Sequence, residues 1–283
     1  MTLPNSRNSP AAAPTAAPAL AAAERSALFE AITAVGDAAV PLLGDGRGAT
    51  PIPGATWTVA EAAAHLAMAN ELMASLAAGE DRPYGDGTPA SLAAANEASL
   101  TERPERDPAV LAADIARHAR EFTAAAGRRP GTEPVVTPLG PMDLDTLGAY
   151  LLTHMLGHLY DIAVALGRPH PIDRRRVELT MPFLRTAMPL VVDARAAAGH
   201  NACYRLRVRG LGGFAVTFTD GAAEVGQEPP RRPDCTILTE PVAFLLIALG
   251  RYTATDALTR GKVLAWGRRP WLAARFPSLF TAP

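Results

Sequence analysis

Cysteine is nearly absent from this chain: Cys203 and Cys235 are the two among 283 residues. That is too few for a CxxC redox motif, a zinc knuckle or a disulfide framework, and it fits a reducing cytoplasm. Lysine is scarcer still, with Lys262 alone. Neither sign of charge is in excess, since 27 basic against 28 acidic residues leave a net charge of -1. This balance argues against a chain devoted to gripping nucleic acid or anionic lipid. No unbroken apolar run approaches the roughly 18 residues that span a bilayer. The expectation is a soluble cytoplasmic protein with neither membrane nor nucleic-acid partner. What is present is apolar mass: 48% hydrophobic against 19% charged residues. A real core can be buried, in one large domain or two ordinary ones.

Residues 1–23 form an Ala/Pro/Ser tract whose prolines Pro10, Pro14 and Pro18 interrupt every apolar stretch. A disordered arm is expected there rather than a signal peptide. From 24 to 170 the pattern is helical. Leu28, Ile32, Val35 and Ala39 repeat at three- and four-residue spacing over 24–43. Thr58 and Glu61 form a capping box opening a helix that runs to Gly79. Two more helical pieces, 89–103 and 108–127, are divided by Pro104 and Pro108. After an extended connection over 129–141, a long helix runs from Asp143 to Leu166 and closes at Gly167. From 171 the texture changes. A helical segment to 198, broken at Pro182 and Pro189, leads into alternating runs at 204–209, 214–219 and 235–239. An apolar helix over 241–249, a strand near 263–265 and an amphipathic helix over 270–280 complete the chain. The fold class is therefore α plus α+β: a helix bundle over 24–170, then a small α+β domain over 171–283 with its linking helix.

Three of the six histidines are suggestively placed. His154 and His158 stand four apart in LLTHMLGHLYDIA, on one face of the long helix. His65 lies in the capped helix, among Ala62, Ala64, Leu66 and Met68. Imidazole is a common ligand for zinc and other late divalent metals, and three such ligands leave an open coordination position. Spacing alone leaves open both a metal site and a set of satisfied core histidines. The zinc-peptidase pattern HExxH is not met, because Met155 stands where the glutamate would be. Asp161, three residues after His158, could accept the second N–H of a metal-bound imidazole, sit near the metal, or make an interhelical salt bridge.

W-T-V-A-E-A-A-A-H-L, Trp57 to Leu66, resembles the first-ligand helix of the mycothiol-dependent, maleylpyruvate isomerase-like enzymes. That family lies within the DinB-like superfamily of metal-binding four-helix bundles. H-M-L-G-H-L-Y-D-I-A-V-A-L-G-R-P, from His154 to Pro169, resembles its second-ligand helix. P-D-C-T-I and L-L-I-A-L-G-R resemble a smaller carboxy-terminal domain, similar in fold to sterol carrier proteins. The resemblance implies that His65, His154 and His158 hold a divalent metal, zinc by expectation, and that mycothiol is the thiol cosubstrate. In the characterised isomerase type, a glutamate matches His154. A neutral histidine there leaves the metal its full double charge.

The resemblance further implies thiolate attack on an electrophilic or unsaturated small molecule. Rotation and loss of thiol would give cis–trans isomerisation, and retention of the adduct would give thiol transfer. An anionic substrate would need positive partners. Arg205, Arg207 and Arg209 alternate on one strand and share a face. Arg251 and Arg260 are the candidates for an arginine that the resemblance directs toward the metal cleft. The alternative function is a non-catalytic metal-binding protein, or an apolar-ligand carrier in which the 241–249 helix lines a tunnel.

Overall fold

The computed structural model describes residues 20–281. Most of the expected 1–23 arm lies outside the described residues, and α1 (Ala22–Leu43) begins at Ala22. α1 is long and apolar enough to cross a membrane by composition alone. Its periodic stripe of Leu28, Ile32, Val35 and Ala39 is instead fully buried in the bundle.

Four helices build that bundle: α1, α2 (Val59–Ala78), α4 (Pro108–Ala126) and α5 (Leu144–Leu166). α2 packs on α4, α4 on α1, and α5 on both α1 and α2. The capping box forms as the sequence suggests. The Thr58 N–H donates to Glu61 Oε2 at 2.7 Å, and the Glu61 N–H donates back to Thr58 Oγ1 at 3.3 Å. Small side chains set how closely the helices approach. A Cβ on Gly36 of α1 would sit 2.7 Å from the Ala119 Cβ of α4. Gly36→Leu is therefore expected to force the two helices apart, at a cost of about 1–3 kcal/mol. Urea melts should show this as a lowered midpoint, while a substitution at exposed Val110 leaves the midpoint nearly unchanged.

The connections hold the first differences from the sequence reading. Residues 134–143 are a hairpin of β1 (Pro134–Thr137) and β2 (Gly140–Asp143), where the composition suggested only an extended link. Pro138 and Leu139 make its turn, and Gly140, at φ +97°, opens β2. α3 (Leu92–Glu102) is a short helix between α2 and α4. α6 (Arg174–Ala187) keeps Pro182 inside it but gives way to a 3-10 turn at Pro189, and the chain beyond Val191 is irregular up to β3.

A five-stranded sheet follows, ordered β5-β4-β3-β6-β7. Its strands are β3 (Ala202–Val208), β4 (Gly212–Thr219), β5 (Ala222–Gly226), β6 (Cys235–Thr239) and β7 (Val263–Trp266). β3 and β6 run parallel, and the other pairs are antiparallel. β5 escaped the pattern because AAEVG lacks alternation. α7 (Pro241–Ala248) is the apolar helix that the sequence shows, and α8 (Ala254–Thr259) is a further short one. The expected helix over 270–280 is only α9 (Leu272–Arg275) plus a 3-10 turn, because Pro277 cannot continue it. The inner sheet face, including Leu206, Val208, Phe214, Val216 and Ile237, is buried. The fold is thus a helical bundle followed by a mixed-sheet domain.

Candidate metal centre

α2 and α5 bring their histidines together. His65 stands on α2 seven residues past its cap, and His154 and His158 stand one turn apart on α5. His65 Nε2 lies 3.1 Å from His154 Nε2. One ring nitrogen from each of the three lies within 4.8 Å of the others. His154 Nδ1 is buried without a hydrogen-bond partner.

α5 is buried along most of its length, yet Tyr150, His154, His158 and Asp161 remain partly reachable. Their spacing of four, four and three marks a single stripe. The stripe is half-buried between α5 and its neighbours. Trp57 forms a wall, its ring 5.0 Å from that of His65 and 6.3 Å from that of His158. Tyr150 meets His154 edge-on at 6.3 Å and stacks on Phe183 of α6 at 4.3 Å. Neither Trp57 nor Tyr150 was singled out from sequence. For Tyr150 the signal was there, one turn before His154.

Burial sets the charge of the cluster. It pushes the His65 pKa down to about 4. His154 and His158 are held well below the ordinary value, first by burial and then by the neighbouring imidazoles and the Arg251 charge. All three rings are therefore neutral near pH 7, with lone pairs converging. The unfolded chain binds protons near pH 6.5, whereas the folded chain resists them. Stability of the metal-free protein should be full above pH 6.5 and fall as the pH drops toward 4. His65 alone should contribute a loss of about 2 kcal/mol between pH 6.5 and 5. Urea midpoints of chelator-treated protein at pH 7 and pH 5 measure this, and equal midpoints would contradict it.

Asp161 does not reach an imidazole. Its carboxylate accepts from Arg251 Nε at 3.2 Å and from a terminal nitrogen at 2.7 Å, so the salt-bridge reading describes it. Arg251 lies in the loop after α7 and also donates to the Leu249 carbonyl. Gly157 makes room for that loop, since a Cβ there would meet Leu249 Cδ1 at 3.2 Å. The sheet domain thus places one guanidinium against the histidine helix.

Arg205 and Arg207, the other arginines expected to hold substrate, make no hydrogen bond or ion pair with the histidines, Asp161 or Arg251 among the described residues. Arg205 pairs with exposed Glu228. With Arg207 it lines a depression on the sheet that none of the three histidines lines. Arg260 is exposed and stacks over Tyr252 at 5.8 Å. The remaining histidines have local partners: Glu121 for His118, the Ile172 N–H for His170 and the Tyr204 hydroxyl for His200.

Comparison with known proteins agrees with this architecture. Residues 29–163 match the mycothiol maleylpyruvate isomerase N-terminal domain, and residues 188–267 match the SCP-2 sterol transfer family. No curated protein matches the sequence. Among solved structures, a histidine-to-alanine mutant of the mycothiol-dependent maleylpyruvate isomerase is 15% identical, with a TM-score of 0.50. That match covers 87% of this chain and 93% of the other, and shows a shared fold. The isomerase without that mutation is 16% identical, covering 82% and 90%, with a TM-score of 0.45. The inverting sec-alkylsulfatase Pisa1 from Pseudomonas sp. is 16% identical at a TM-score of 0.32. The match covers 50% of this chain, which spans about a quarter of the sulfatase's length. Through residues 29–163 the chain is therefore similar to the mycothiol maleylpyruvate isomerase N-terminal domain, and through residues 188–267 to the SCP-2 sterol transfer family.

Proposed function

We propose that His65, His154 and His158 hold a divalent cation, zinc by preference. On this reading the chain is an enzyme that uses mycothiol as nucleophile on an electrophilic or unsaturated small molecule. The reaction is cis–trans isomerisation or thiol transfer. The observation that carries it is three neutral imidazoles whose ring nitrogens converge within 4.8 Å, with His65 Nε2 and His154 Nε2 3.1 Å apart. Three neutral nitrogen lone pairs gathered this closely fit a shared cation better than a packed core, which pairs its polar groups with donors. When bound, the cation would hold a coordinated thiol as its thiolate near neutral pH.

The chain's own residues supply the rest. Neutral histidines offer lone pairs without first shedding protons, and leave the cation's charge undiminished. Trp57 and the Tyr150–Phe183 stack exclude water from one side. The raised Tyr150 pKa, caused by burial, keeps its phenol protonated as a hydrogen-bond donor toward a substrate oxygen. Arg251, steered by Asp161, presents positive charge to an anionic group. Both cysteines are buried in the sheet domain, so a thiol nucleophile would come from solution.

Calorimetry with mycothiol tests the reading. Saturable binding is expected to the zinc-loaded protein, with a loss of at least about 100-fold after chelation. Equal affinity with and without metal would overturn it. Tyr150→Phe is expected to retain metal and thiol binding but to lower kcat about tenfold or more. An unchanged kcat would remove Tyr150 from the chemistry.

A further inference from the structure

We propose a second ligand site, for an amphipathic organic anion, on the outer face of the sheet. The strand register builds it. Arg205, Thr236 and Trp266 lie side by side across β3, β6 and β7, and Arg207, Leu238 and Leu264 form the next row. Toward β4 the same rows continue as Ala215 and Gly213, whose small size lowers the floor beside the arginines. Arg205, Arg207, Gly212, Gly213, Thr236 and Trp266 line a depression of about 350 Å³. That volume lies in the range of small-molecule sites.

The chemistry of the rows is graded. Arg205 and Arg207 project from one face roughly 7 Å apart, a spacing that lets both guanidiniums address one carboxylate or phosphate. Arg205 already holds Glu228, an exposed residue that a stronger anion can displace. Arg207 is exposed, and among the described residues no carboxylate lies within ion-pair distance of it. On the far side, Leu264 is 50% and Trp266 44% exposed. Large apolar side chains left open beside Arg207, which has no ion-pair partner among the described residues, match a ligand with a charged head and an apolar body. The acidic residues that flank β6, Asp234 and Glu240, are each paired with a cation, Asp234 with Arg231 and Arg268 and Glu240 with Lys262. This site shares no residue with the histidine cluster and stands or falls separately from the proposed function.

The test uses the full-length protein and calorimetry with dodecyl phosphate below its micellar concentration. Inorganic phosphate serves as the head alone and dodecanol as the tail alone. One-to-one binding is expected for dodecyl phosphate, with each half at least about tenfold weaker. Arg207→Gln and Trp266→Ala should each weaken it about tenfold. Both residues are exposed, so folding is preserved. His158→Ala should leave it unchanged. Absence of saturable binding, or equal binding by Arg207→Gln, would overturn the site. Phosphatidylglycerol vesicles separate the two sources of such a head. Co-sedimentation without one-to-one binding of soluble dodecyl phosphate would also overturn it, making the face a membrane-docking surface instead.

Discussion

Replacing His154 by leucine should empty the metal centre while leaving the fold intact. Two ligands would remain of three. Even changes to groups that merely orient a ligand lower metal affinity about 10–100-fold, so loss of a ligand should exceed about 100-fold. Stability should move the other way from the usual core substitution. The native imidazole is buried with an unpaired Nδ1, and its pKa is held down by burial. An apolar side chain of similar size removes that unmet hydrogen-bonding demand. Chelator-treated wild type and His154→Leu should therefore unfold at similar urea concentrations, with the variant equal or slightly higher. Elemental analysis of dialysed samples should find about one ion per wild-type chain and almost none in the variant. A variant that loses metal only because it has unfolded would show a collapsed midpoint, and this account does not expect one.

The second large effect concerns Arg251. If its guanidinium faces the substrate's negative charge, Arg251→Ala should lower kcat/KM for an unsaturated dicarboxylate by about 100- to 1000-fold. That range corresponds to losing one aimed electrostatic contact, about 3–4 kcal/mol. A neutral electrophile should lose far less. Asp161→Asn keeps the arginine but releases it from its bidentate clamp, so a smaller, about tenfold, loss is expected, again greater for the anion. The double variant should lose less than the product of the single effects, because Asp161 acts through Arg251. Equal losses for charged and neutral substrates would mean that the pair only fastens the sheet domain to α5.

The bundle was legible in the sequence because its signals are local. Thr58 and Glu61 mark a helix start three residues apart, Gly79 and Gly167 mark helix ends, and the histidines on α5 sit one turn apart. Long-range pairings leave no such trace. Asp161 and Arg251 are 90 residues apart, and nothing in either segment shows that α7's loop returns to α5. The same holds for Arg205 and Arg207. Their alternation shows a shared face, but only the packing shows that the opposite face, with Leu206 and Val208, is the buried one. β5 and α8 were missed because AAEVG and ATDALT are short and lack periodicity, and neighbouring elements impose their shape. The end of the chain was read as one helix because its apolar residues are spaced helically, while Pro277 divides it.

Cobalt substitution tests the central claim most directly. Protein freed of metal and reloaded with one equivalent of cobalt(II) should show the visible absorption of a four- or five-coordinate ion. Added mycothiol should then produce a thiolate-to-cobalt charge-transfer band that saturates at one thiol per chain, and His65→Ala and His158→Ala should abolish it. A wild-type protein that binds cobalt without any such band on thiol addition, or that takes up cobalt equally well without the three histidines, would contradict the account.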